Sequence, residues 1–220
     1  MSPILFNDLF LATGETLYMV IASTCFAIIL GLPLGTMVFV SATLRPHPLL
    51  NRTLSAFINI SRSIPFIILL VALIPFTRLL IGTSIGIHAA IVPLTLGAAP
   101  FFARLVDNAY QRLPQGLLDA GNAMGTSTWQ MIRYILLAEA RPALIQAVTL
   151  TAITLVNYSA MAGTVGGGGL GDLAIRYGYQ RFNVNMMIIT VLLLIVIVQL
   201  IQRLGDKLTL RASPGASLCV

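Results

Sequence analysis

The 220-residue sequence is 57% hydrophobic and only 9% charged, with a mean hydropathy of +0.92. A soluble domain carries about 25% charged residues, so an ordinary water-facing globule is excluded and the chain reads as an integral membrane protein. The formal charge of +6 arises from 13 Lys+Arg against 7 Asp+Glu. Without a basic stripe interleaved with aromatics, no nucleic-acid partner is expected, and the basic excess reports loop orientation instead.

The opening stretch, MSPILFNDLFLATGETLYMV, has no basic n-region and no A-x-A site. A cleaved signal peptide is not expected, and the first span is retained. Crossing the hydrocarbon core takes about 20 apolar residues. Five stretches qualify: Thr16 to Ala42, Phe57 to Ile81, Ile85 to Val106, Ala143 to Ala162 and Val184 to Leu204. Cys25 falls in the first and Cys219 in the tail, so no disulfide framework follows. Pro33, Pro65, Pro75, Pro93 and Pro100 lie inside spans, where neighbouring helices can satisfy the carbonyls they free. Gly31, Gly35, Gly97, Ala98 and Ala99 permit close helix approach. Arg62, several residues into span two, is expected to snorkel toward the interface. Arg104 and Asp107 are three apart on one helix face and can pair. No carboxylate lies near the middle of a predicted span, where a proton-driven carrier would want one.

The basic residues fall into two groups. Arg45, Arg52, Arg62, Arg104, Arg112, Arg133, Arg141, Arg203, Lys207 and Arg211 cluster by loop on one side; Arg78, Arg176 and Arg181 lie on the other. The positive-inside rule puts the first group in the cytoplasm. An odd number of spans then places the N-terminus outside and the C-terminus inside. The loop between spans three and four becomes cytoplasmic.

That loop is LLDAGNAMGTSTWQMIRYILLAEARP, Leu117 to Pro142. Pro114 can open a helix at its first position. Leu117, Gly121 and Met124 recur at helical spacing as one narrow apolar face, with Ala120 and Gly121 forming a smooth patch. Gly125 can end the helix in a left-handed cap. Ser127 and Gln130 make a capping box for a second short helix. Two bent helices result, either resting on lipid or docking a partner.

Between spans four and five runs TVGGGGLGD, Thr164 to Asp172. It lacks the Gly-Lys-[Ser/Thr] ending of a P-loop. It is either a tightly turned loop, since glycine admits positive φ, or a re-entrant segment facing a pore. Metal and hydrolase motifs are missing, and His47 and His88 lack metal-ligand company. No metal site and no cofactor are expected.

The Leu117–Pro142 loop resembles the EAA loop of ABC-importer permeases: Glu-Ala-Ala, three residues, Gly, nine residues, Ile-x-Leu-Pro. Asp119-Ala120-Gly121, Gly125, Ile135 and Leu137 keep that spacing. Asp stands for Glu, Gly121 for the second Ala and Ala138 for Pro, with Pro142 close behind. The stretches SRSIPFIILLVALIPFTRLLIGTSIG, AAIVPLTLGAAPFFARLVDNA, ITLVNYSAMAGTVGGGGLGDLAIRYGYQRFN and QLIQRLGDKL are similar to the methionine-uptake permeases.

The resemblance implies an all-α, ABC type I importer-like fold with about five transmembrane helices. Residues 1–220 would form one permease domain, with 113–138 as its cytoplasmic coupling loop. It implies a homodimer, two cytoplasmic ATPase subunits that hydrolyse the ATP, and an extracytoplasmic methionine-binding lipoprotein. The setting is the bacterial inner membrane and its lipid. The chain itself would be no enzyme. Leu117, Asp119, Ala120, Gly121, Met124, Gly125, Ile135 and Leu137 would form the ATPase contact. Asn157, Tyr158, Ser159 and Met161, at the polar end of span four, are the expected pathway and gate residues. Two other classes remain open: a secondary transporter or channel for small amino acids, disfavoured by the missing mid-span carboxylates and inverted repeats, and an intramembrane hydrolase with Ser159 as its nucleophile.

Overall fold

A computed structural model describes residues 3–213; Cys219 lies outside them. Eleven α-helices and no strands occur among the described residues. They are α1 (Pro3–Phe39), α2 (Pro48–Ser63), α3 (Phe66–Ala72), α4 (Ile74–Ile81), α5 (Ile87–Gln111), α6 (Gln115–Ala123), α7 (Thr128–Gln130), α8 (Leu137–Glu139), α9 (Arg141–Gly163), α10 (Gly169–Leu173) and α11 (Val184–Ala212). Short π-helical segments continue α1 at Val40–Leu44, α7 at Met131–Leu136 and α10 at Ala174–Tyr179. Four of the described helices are long and apolar enough to cross a membrane, and the bent pair α2–α3 makes up to five.

The second predicted span needs correction. Instead of one helix over Phe57 to Ile81, the chain forms α2, α3 and α4, with a 98° bend between α2 and α3. The cause is local. Proline disfavours the helical region for the residue before it: Ile64 sits extended at ψ 123° and Pro65 caps α3. The first span also begins earlier than Thr16. Helix α1 starts at Pro3, so Glu15 lies within it.

Helix α5 is the central element. It packs along α1 and touches α9, α2, α3 and α4. Small residues set the α1–α5 approach. A Cβ at Gly31 would lie 2.7 Å from the Ala99 carbonyl oxygen, and one at Gly35 would run into the Ala103 carbonyl oxygen and Val106. Where α9 meets α11, a Cβ at Gly205 would collide with Thr149, a contact that no periodicity announces. Two apolar clusters fill the bundle. One gathers Met19, Leu94, Leu155, Leu170 and Met186. The other gathers Phe39, Phe102, Tyr110, Leu118, Met131 and Leu136 beside the loop after α5. Helix α1 contributes to both, so one continuous helix reaches both ends of the bundle.

Candidate functional site

Two connections at opposite ends of the bundle carry the candidate site residues. The first is the loop after α5. Pro114 caps α6 from outside rather than occupying its first turn. The helix ends at Ala123, and Gly125, just past its cap Met124, turns the chain with a φ of +70°. The hydroxyl of Thr126 donates to the Gly121 carbonyl at 2.9 Å, and the Thr126 N–H donates to the same oxygen at 3.2 Å, closing the turn. Ser127 and Gln130 form the expected capping box: the Gln130 N–H donates to Ser127 Oγ at 3.3 Å, and the Ser127 N–H to Gln130 Oε1 at 2.8 Å.

The two limbs close on Gly121. A Cβ there would lie 2.7 Å from Met131 Cε and 2.8 Å from Ile135 Cδ1. Gly121 is therefore buried inside the loop, which corrects the expectation of a smooth outward patch. Leu118, not singled out from the sequence, is buried beside it, and Leu117, Ile135 and Leu137 are half-buried. Asp119, Ala120, Met124 and Gly125 are exposed. Asp119 is the fifth residue of α6, so it stands past the first turn. What the loop presents outward is bulky: Met124 is 74% exposed, Trp129 67% and Tyr134 67%. Sequence reasoning passed over Trp129 and Tyr134. The available signal was the chain's single tryptophan standing in a polar loop.

The second connection is the glycine run after α9. Gly166, Gly168 and Gly169 have φ of +83°, +82° and +75°. The chain turns back, and α10 runs against the end of α9. A Cβ at Gly163 would strike the backbone of Gly171 and Asp172, and one at Gly171 would strike that of Ala160. Helix α1 holds the turn. Glu15 Oε2 accepts from the Gly169 N–H at 2.8 Å, and Thr16 Oγ1 accepts from the Leu170 N–H at 2.9 Å. The Gly86 N–H donates to the Gly166 carbonyl at 2.9 Å and ties in the start of α5. The segment is thus a tightly packed backbone turn in which most donors are accounted for. Asp172 pairs with Arg176 at 2.6 Å.

The four residues singled out at the end of span four do not share one face. Asn157 is exposed and lines a cavity of about 300 Å³ against α11, with Gln199 on the far wall. Tyr158 points elsewhere and stacks on Phe66, centroids 4.1 Å apart and planes 1° from parallel. Ser159 is buried, and its Oγ donates to the Val156 carbonyl at 2.8 Å. A hydroxyl committed to a backbone carbonyl has no base to activate it, so the geometry gives the hydrolase alternative no support. Met161 is half-buried against the Met19–Leu155 cluster.

The expected ion pair is present: Arg104 Nη1 lies 2.9 Å from Asp107 Oδ2. Asn59 on α2 accepts from Arg104 Nη2, and Gln111 donates to Asp107. Among the described residues no group of His, Cys, Asp and Glu could hold a metal ion. The His88 ring meets Tyr18 edge-on at 5.7 Å.

Comparison with known proteins covers most of the chain. Residues 27–211 match the family model described as binding-protein-dependent transport system inner membrane component. The probable D-methionine transport system permease protein MetI of Vibrio cholerae is 52% identical over 208 residues, covering 93% of this chain and 92% of that one. The D-methionine transport system permease protein MetI of Escherichia coli K12 is 54% identical over 154 residues, covering 68% of this chain and 70% of that one. Among solved structures, the chain superposes on an inward-facing MetNI methionine ABC transporter with a TM-score of 0.95 and 48% identity, covering 97% of this chain and all of the other. An amino acid ABC transporter chain shares the fold with a TM-score of 0.78 at 18% identity.

Proposed function

The chain belongs to the family of binding-protein-dependent transport system inner membrane components, and from that membership we propose that it is the permease subunit of an ATP-driven importer of methionine, D-methionine included. The observation that carries this reading is the 48% identity at a TM-score of 0.95 with a chain of a methionine ABC transporter. The protein is a multi-pass component of a bacterial inner membrane. Its N-terminus lies outside and its C-terminus in the cytoplasm, as the basic-residue groups suggest. Two copies form a two-fold pair around a shared path. Two ATPase subunits bind beneath, and an extracytoplasmic methionine-binding lipoprotein delivers substrate from above.

Residues 113–138 are the coupling loop of a single permease domain, 1–220. The outward face of the loop, Asp119, Ala120, Met124, Trp129 and Tyr134, seats in the ATPase. Gly121, Ile135 and Leu137 hold the two limbs together behind it. Exposed aromatic and Met side chains suit such a contact, since residues of these types are enriched in the cores of protein interfaces. ATP-driven closure of the ATPase pair pulls on the loop, and the loop pulls on α5 and α9, which it joins. At the other end, Tyr158 and Met161 contribute to closing the path.

The test is uptake of labelled methionine in a host lacking its own methionine transport, with this chain, its ATPase and its binding protein expressed together. ATP-dependent accumulation is expected, and none without the ATPase. Accumulation that needs no ATPase would return the chain to the secondary-transporter class. Single cysteines near Thr128 should label only from the cytoplasm and near Asp172 only from outside; the reverse would invert the topology.

A further inference from the structure

We propose that Arg62, with the aromatic pocket beside it, is an in-membrane subsite for the α-carboxylate of the transported amino acid. The proposal rests on the amino-acid importer reading and names where that substrate pauses inside the membrane.

The first observation is depth. The Arg62 guanidinium lies 5.7 Å from the Phe101 ring centroid. Phe101 stands 14 residues from one end of α5 and 10 from the other, roughly 21 Å and 15 Å along the axis at about 1.5 Å per residue. Phe101 lies five residues before Val106, where the third span is expected to end, so Arg62 stands about 7–8 Å inside that end, against the bundle and still within reach of water. An ionisable side chain at that depth is costly, and where one is kept it marks a path or binding site.

The second observation is its lack of a partner. Among the described residues two ion pairs form, Arg104–Asp107 and Arg176–Asp172, and neither uses Arg62. Arg104 on the neighbouring helix is already committed to Asp107 and Asn59. Arg62 is exposed on the last turn of α2, just before the 98° bend. Around it α2 carries Asn59, Ser61 and Ser63, a polar turn that suits a water-filled path better than lipid.

The third observation is the cavity. About 120 Å³ opens between Ser61, Arg62, Phe66, Gly97, Phe101 and Tyr158. The stacked Phe66–Tyr158 pair walls one side. Gly97 leaves the room: a Cβ there would lie 3.2 Å from Phe66 Cδ2. A planar guanidinium matches a carboxylate two bonds at a time. Aromatic faces beside it accept an apolar side chain and attract an ammonium. The combination fits a zwitterion with an apolar side chain.

Two measurements test this on the assembled permease–ATPase complex in proteoliposomes, with its methionine-binding protein supplied. In the wild-type complex, phenylglyoxal modification of Arg62 is followed by mass spectrometry. Methionine should slow it, and methionine amide, which lacks the carboxylate, should not. Equal protection by acid and amide, or none by either, overturns the proposal; a lipid phosphate on Arg62 would give that equality. In variants, Arg62→Gln should cut methionine imported per ATP hydrolysed by about tenfold or more, and Arg62→Lys, which keeps the charge but not the paired donors, should recover part of it. Wild-type coupling in Arg62→Gln, or equal loss in both variants, also overturns it. A wild-type complex that imports no methionine would instead sink the importer reading.

Discussion

The loop after α5 and the glycine run after α9 are both bent by glycine at positive φ, yet they are built in opposite ways. At Gly125 an added Cβ would meet nothing within 4 Å. The bend is open to solvent, and its limbs are joined behind it by Gly121, Met131 and Ile135. In the run after α9 the turn is packed against other backbone, and Gly169 and Leu170 donate to side chains 154 positions earlier in the chain. One connection carries its own internal packing and shows a bulky face outward. The other has no independent shape and takes it from α1, α5 and α9. A glycine in a sequence thus reports a bend or a close approach, and only the neighbours decide which.

Breaking the packed turn should have the largest effect. Gly171→Val drives a side chain into the Ala160 backbone, which cannot swing aside as a side chain can. A loss at or above the upper end of about 1–3 kcal/mol is expected, read as a lower melting temperature and loss of the folded peak in detergent. Gly121→Arg comes next. Its neighbours are the flexible Met131 and the tip of Ile135, so the cost should be about 1–2 kcal/mol. The spans should still insert, while the limbs part and ATPase recovery fails. Unchanged ATPase pull-down would show that the limbs need not close.

The double variant Met124→Ser, Trp129→Ser separates the loop's two faces. Both side chains point outward, so stability should move by less than about 0.5 kcal/mol. ATPase association should weaken about tenfold, roughly 1.4 kcal/mol. Stability loss with normal association would reverse the assignment of faces. Glu15→Gln keeps an acceptor for the Gly169 N–H but removes its charge. About 1 kcal/mol should go, seen as a small drop in melting temperature. The smallest effect belongs to Gly125→Asn. Asparagine tolerates the left-handed region, so melting and uptake should both stay near wild type; a large loss would mean that the bend is less open than it looks.

How far these regions could be read from sequence follows the same division. The capping box, the Gly125 bend and the Arg104–Asp107 pair depend on residues within five positions of one another, and all three are present. The spans over α5, α9 and α11 were legible because an uninterrupted apolar run is a local signal. The second span was not. The run from Ile64 to Phe76 is apolar throughout, and it masks a turn set by a single proline and the polar helix before it. Nor was the orientation of Gly121: its phase on α6 is periodic, but which face turns inward depends on Met131 and Ile135 across the bend. Glu15 was missed because its reason for lying within α1 is a pair of backbone N–H groups from the far end of the chain. Asn157, Tyr158, Ser159 and Met161 are contiguous in sequence, and helical geometry distributes them to different neighbours.

Helix α1 runs 37 residues without interruption, about 55 Å at about 1.5 Å per residue. The hydrocarbon core is about 30 Å thick, so this rod must tilt or stand well clear of the bilayer. It touches the glycine turn through Glu15 and Thr16, and it reaches the packing beneath the opposite loop through Phe39. A stiff strut fixed at both ends responds to the thickness of what surrounds it. Lipids with longer or shorter chains would change its tilt and with it the spacing between the two ends. Turnover should therefore depend on acyl-chain length, with an optimum at the thickness that leaves both attachments unstrained.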